Sequence, residues 1–169
     1  IEIHPEGPIS NDVFSLSARS NELWVVYGGF GPTYGPTQRK LGFTHYDGET
    51  WFTAKNNALN PFPDFVDVAI HPTNKNKVYI SGFGDTNLIN TFDTGGLFEV
   101  ENNEITNFYN YLNSPLEDIV EDDANRVTIR ISGSVFDNQG NLWLMNIGGS
   151  KELKKFSNGS WAGYDISEG

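Results

Sequence analysis

The sequence predicts an all-β chain, a β-propeller segment of about three four-stranded antiparallel blades that form part of a larger ring. Three observations predict it. Leu16 to Trp24 (L-S-A-R-S-N-E-L-W) aligns without a gap on Val135 to Trp143 (V-F-D-N-Q-G-N-L-W), and Val68 to Tyr79 repeats the pattern with a longer turn. A second register aligns Tyr46-Asp47-Gly48-Glu49-Thr50-Trp51 on Phe156-Ser157-Asn158-Gly159-Ser160-Trp161, with Val100 to Ile105 spaced alike. The 18 Gly and 8 Pro are spread along the 169 residues, as many short strands joined by tight turns require.

Each repeat holds four strands, an apolar stretch and a polar turn alternating. In the first blade, spanning about 12–54, they are expected near 12–18, 22–27, 42–46 and 50–54. The second, about 64–109, has them near 64–71, 77–82, 96–101 and 104–109. The third, about 129–165, has them near 129–137, 141–146, 152–157 and 160–165. The turn interiors are Asp, Gly, Asn, Ser and Glu, the chemistry of hairpin tips. The anchors Trp24, Tyr79 and Trp143 lie 55 and 64 residues apart, above the ~40–50 of common propeller repeats. The surplus falls in 28–41, 82–95 and 110–128. Stacked blades are expected to remove Trp24, Trp51, Trp143 and Trp161 from water. Three blades do not close a ring, so the parent protein is expected to continue beyond this segment.

Composition narrows the function. With 12 Phe, 7 Tyr and 4 Trp the chain has ample apolar surface for a core. A formal charge of −11 disfavours nucleic acid and electrostatic docking on anionic lipid. There is no cysteine, so neither disulfides nor thiolate metal sites arise, and no apolar run is long enough to span a bilayer.

No motif assembles catalytic or metal chemistry. His4, His45 and His71 lack ligand spacing, and Ser132-Gly133-Ser134 is no nucleophile elbow; it is read as small residues at a crowded axis. The acidic run Glu117 to Asp123 is expected to be a solvated loop rather than a calcium site. Asp137-Asn138-Gln139-Gly140-Asn141 and the sequon Asn158-Gly159-Ser160 are expected to serve hairpin geometry. The chain therefore carries no expected catalytic residue, metal or cofactor. The candidate ligand-binding residues are Phe30, Tyr34, Phe83, Asp85 and Asn87, in the loops after the second strands of the first two blades. Those loops should emerge on one face, where aromatics among Gly and Asn suit glycan or peptide ligands.

The stretch Phe136-Asp137-Asn138-Gln139-Gly140-Asn141-Leu142-Trp143-Leu144, followed by Leu153-Lys154-Lys155-Phe156, resembles the repeat of two-component-regulator propellers. Leu23 to Gly29, Phe43 to Trp51 and His71 to Tyr79 are similar to the propeller of PorZ-type proteins of the type IX secretion system. The second repeat departs from the Gly-Asn-Leu-Trp signature, having Lys77-Val78-Tyr79. The resemblance implies an extracytoplasmic, non-enzymatic binding module, at the periplasm or cell surface, tied to protein secretion and surface-polysaccharide attachment. Its implied partners are an envelope protein or glycan and the remaining blades of the parent chain. One alternative is the periplasmic ligand-sensing propeller of a hybrid regulator. Another, suggested by Tyr46-Asp47-Gly48-Glu49-Thr50-Trp51, is a fragment of an Asp-box hydrolase; with only Arg19, Arg39, Arg126 and Arg130, a carboxylate-binding arginine cluster is hard to build.

Overall fold

The computed structural model describes residues 6–85, 91–120 and 126–166. Twelve strands form three separate four-stranded sheets, each an antiparallel meander in chain order. The first blade holds β1 (Ser15–Arg19), β2 (Glu22–Val26), β3 (Phe43–Tyr46) and β4 (Trp51–Ala54). The second holds β5 (Asp64–Ile70), β6 (Lys77–Phe83), β7 (Gly96–Glu101) and β8 (Glu104–Tyr109). The third holds β9 (Ile131–Phe136), β10 (Leu142–Asn146), β11 (Leu153–Ser157) and β12 (Ser160–Tyr164). The expected all-β, propeller-like architecture is what the chain adopts.

Local chemistry explains the hairpins. Three tips are two-residue turns with positive φ at both positions: Ser20–Asn21 (51° and 69°), Asn102–Asn103 (51° and 70°) and Asn158–Gly159 (48° and 78°). That is the type I′ turn, whose twist matches the strands it joins, and Asn and Gly tolerate it best. The longer β5–β6 turn closes through His71 N–H to Lys77 O (2.8 Å) and is shaped by Asn74, whose side chain accepts from Asn76 N–H.

Blades stack through two apolar layers. Trp24, Val26 and Phe43 pack toward Phe65, Ile80 and Phe98 of the second blade. Tyr79 and Leu97, on its opposite face, meet Leu142, Leu144 and Phe156 of the third. Each large side chain so buried contributes roughly 1.5–3 kcal/mol of transfer free energy. Of the four tryptophans only Trp24 is fully buried; Trp51, Trp143 and Trp161 are half-buried. The expectation of four buried indoles fails because Trp51 lies on the fourth strand of its sheet, Trp161 on the last strand, and Trp143 on the face of β10 opposite the Leu142–Leu144 layer.

The first strands of the three sheets meet at Asp67 of β5. Its carboxylate accepts from Ser15 Oγ of β1 (2.9 Å) and from Ser134 N–H of β9 (2.6 Å), and Ser134 Oγ is hydrogen-bonded to Ser81 Oγ of β6. Ser134 is therefore structural. Gly133 is not crowded, since a Cβ there would meet nothing within 4 Å; its φ of +65° is what makes glycine suitable.

Candidate binding site on the loop face

The connection from β2 to β3 is organised by a single buried acid. Asp64, fully buried at the start of β5, accepts from the backbone N–H groups of Gln38 (2.7 Å), Arg39 (2.8 Å) and Lys40 (3.1 Å) and from Thr37 Oγ1 (3.3 Å). A buried carboxylate needs such donors, and here they come from a loop 24 to 27 residues upstream. The loop is further docked by Gly28 N–H on Phe65 O (2.8 Å); a Cβ at Gly28 would sit 2.3 Å from Phe65 N. Beyond it, Gly31 N–H bonds Gly35 O and Thr37 N–H bonds Gly29 O, which folds 29–37 back on itself with Tyr34 at φ 56°.

This strap lies against the segment after β6. Gln38 Nε2 donates to Asp85 (2.7 Å), and Lys40 Nζ lies 2.6 Å from Asp93 and 3.5 Å from Asp85. Asp93 belongs to a short 3-10 turn (Phe92–Thr94) and is buried; burial pushes its carboxyl up, against the pull of Lys40. The two loops expected on one face thus touch each other.

The candidate residues occupy three depths. Tyr34 is exposed (62%), Phe30 beneath it is half-buried with ring centroids 5.8 Å apart, and Phe83 beneath that is fully buried at 5.3 Å. Phe83 therefore supports the surface and does not present itself to a ligand, a correction to its expected exposure. It is buried because it ends β6, whose last six residues are all covered. Asp85 is partly buried among Gln38 and Lys40, and Asn87 lies outside the described residues.

Arg130 was not singled out by its sequence pattern. It precedes β9, bridges to Phe83 across the blade boundary, and lays its guanidinium over the Phe83 ring at 4.9 Å. Its Nε is buried and has no hydrogen-bond partner among the described residues. Burial draws the Arg130 pKa down, with Asp85 acting the other way. The buried Nε is out of a ligand's reach, so a cation held on this aromatic face can meet an acceptor oxygen only through its Nη groups. Asp64 had one sequence signal: it and Asp67 are the two acids in the otherwise apolar strand D-F-V-D-V-A-I, and buried acids require partners. Lys40 and Arg130 had none, because their partners are distant in sequence.

The other singled-out groups serve structure. Asp47 accepts from Glu49 N–H, Thr50 N–H and Thr50 Oγ1, bonds that hold its carboxyl down at about 2. Asp137 takes Trp143 Nε1, Asn141 Nδ2 and the N–H groups of Gln139 and Asn141, so its pKa is strongly lowered. Neither carboxylate is disposed toward a metal, and no group of three or more metal-ligating side chains occurs among the described residues. Glu117 keeps 34% of its side chain in solvent, and it is engaged as well. It reaches across to Ser150 N–H and Oγ (2.7 and 2.8 Å) and to the buried Lys154, because an ammonium inside β11 needs a counter-charge. His45 is buried, stacked on Trp24 at 3.8 Å, bonded to Glu22 of its own blade and, across the first blade boundary, to Asn103. His4 and residues 121–123 lie outside the described residues.

Three consecutive four-stranded meanders, joined through their first strands and layered face to face, define the chain as a propeller segment that carries a loop-face cluster. No family model matches it, and no curated protein matches it. Among solved structures it is similar to PorZ of Porphyromonas gingivalis, described as an essential bacterial surface component of the type IX secretion system. The TM-score is 0.73 at 18% identity, over 98% of this chain and 21% of that one. The likeness is one of fold, and the chain spans about a fifth of the length of the protein it matches. Among the described residues no helix is long and apolar enough to cross a membrane.

Proposed function

We propose that this chain is a non-enzymatic binding segment of an extracytoplasmic propeller that serves type IX protein secretion, and that its loop face receives an envelope glycan or protein. The observation that carries the reading is the likeness of fold to PorZ across nearly the whole chain. The loop face supports it: Tyr34 stands exposed on Phe30, Phe83 forms the floor, and the Arg130 guanidinium lies on that floor. A rigid aromatic platform with an adjacent cation is a recognition surface that needs no bond-making chemistry.

The test is genetic. Tyr34→Ala and Arg130→Gln, placed in the parent gene, should leave the protein folded at the cell surface while secreted cargo accumulates in the periplasm. Normal cargo delivery by both variants would overturn the loop-face assignment. Normal delivery after removal of the whole segment would overturn the link to secretion.

A further inference from the structure

A second concavity lies at the opposite end of the blades, between the second and third. Its volume is about 320 Å³, at the small end of the range for ligand pockets. Aromatic rings wall it: Tyr79 lies 5.7 Å from Phe136 and 5.9 Å from Phe156, and Tyr109 lies 5.1 Å from Phe156. The rim includes Gly140 and Asn158–Gly159, the hairpin tips of the third blade, with Asn107 exposed beside them.

Glu99 forms the floor and is nearly buried. Lys77 Nζ lies 2.6 Å from its carboxylate, so the floor carries one charge of each sign. Tyr109 donates its hydroxyl to Glu99 (2.9 Å), and the Tyr79 ring stands beside the same carboxylate in the cavity lining. A phenol proton committed to a carboxylate leaves the Tyr109 oxygen as an acceptor, while the Tyr79 hydroxyl can donate or accept. Lys77, with one of its three N–H groups directed at Glu99, keeps two for a ligand. With His71 also in its lining, the cavity offers acceptors and donors together, a compensated Lys77–Glu99 pair, and flat apolar walls. An ion would gain nothing from a compensated floor, and an apolar ligand would leave the Lys77 and tyrosyl groups without partners. A ring with apolar C–H faces and hydroxyls at its edge satisfies every wall. We propose that this cavity binds a single uncharged pyranose unit. The inference does not depend on the loop face or on secretion.

The test is an amide-shift titration of the ¹⁵N-labelled chain. Glucose, galactose, mannose and N-acetylglucosamine are added as free sugars and as methyl glycosides, with glucuronate as the charged counterpart. At least one neutral sugar is expected to move the amides of Asn107, Gly140 and Gly159 saturably. Acceptance of the methyl glycoside assigns a unit of a longer chain; binding of free sugar alone assigns a soluble monosaccharide, and both support the cavity. Tyr109→Phe should weaken binding about tenfold, the worth of one well-placed hydrogen bond to a sugar hydroxyl. Asn107→Ala, on the exposed rim, gives a second reading if Tyr109→Phe disturbs the fold, and should weaken binding by a few-fold. Leu59→Ala, a fully exposed site outside the cavity lining, should leave binding unchanged. Failure of every neutral sugar to move those amides, or equal binding of glucuronate, would overturn the proposal and leave the loop-face reading untouched.

Discussion

The second strands of the second and third blades make an instructive pair. β6 (K-V-Y-I-S-G-F) is buried along its length after Lys77, whereas β10 (L-W-L-M-N) alternates, with Leu142, Leu144 and Asn146 covered and Trp143 and Met145 half-covered. Both strands are rich in large apolar residues, so composition does not separate them. What separates them is the number of neighbours: β6 has a blade on each face, and β10 has a blade on one. Burial in a stack of repeats belongs to the layer between units, and each unit's stability is borrowed from its neighbours.

That contrast can be broken by mutation. Ile80→Ala in β6 removes a fully buried side chain from the first layer and should lower unfolding stability by about 2–5 kcal/mol in urea titration. Met145→Ala, at the corresponding kind of site in β10, should cost under about 1 kcal/mol. Equal losses would show that the third blade's outer face is covered in solution.

Asp64→Ala should come next in size, costing about 1–3 kcal/mol by leaving three loop N–H groups without an acceptor. Hydrogen exchange should accelerate at Gln38, Arg39 and Lys40 while β10 amides keep their protection.

Acid offers a finer probe of the third blade. Burial alone would raise the Glu117 carboxyl, but Lys154 and the Ser150 donors outweigh it and bring it from 4.5 to about 2. A folded-state value below the unfolded one contributes stability that is present above pH 4.5 and is lost as pH falls through about 2. Glu117→Gln should flatten the loss of stability over that window, measured by thermal melts in low salt. Smallest of all should be Val135→Ser, an exposed site on β9, with a change within about 0.5 kcal/mol.

The fold was legible because the repeat writes its turns locally. Ser20–Asn21, Asn102–Asn103 and Asn158–Gly159 each supply the two positive φ values of a tight hairpin, and the apolar stretches beside them are the strands. Loop contact was legible in part: both second-strand connections leave by the same end, which places Phe30, Tyr34, Phe83 and Asp85 together. Depth was not. Nothing local distinguishes Phe83, sealed under Arg130, from Tyr34 in solvent. Arg130, Lys40 and Glu117 acquire their roles from partners tens of residues away, a relation that spacing along the chain does not carry.

Asp67 has a geometric consequence. Its two bonds, 2.9 and 2.6 Å long, pin the first strands of all three blades at hydrogen-bonding distance. Away from that point the same blades are held apart by whole aromatic rings: Phe43 and Phe65 across the first boundary, Tyr79 and Phe156 across the second. Close spacing at one edge and ring-wide spacing farther out make each blade a wedge. The angle of the wedge sets the curvature of the arc, so a serine–aspartate contact near the centre and the bulk of peripheral phenylalanines together determine how many blades a full circle can hold.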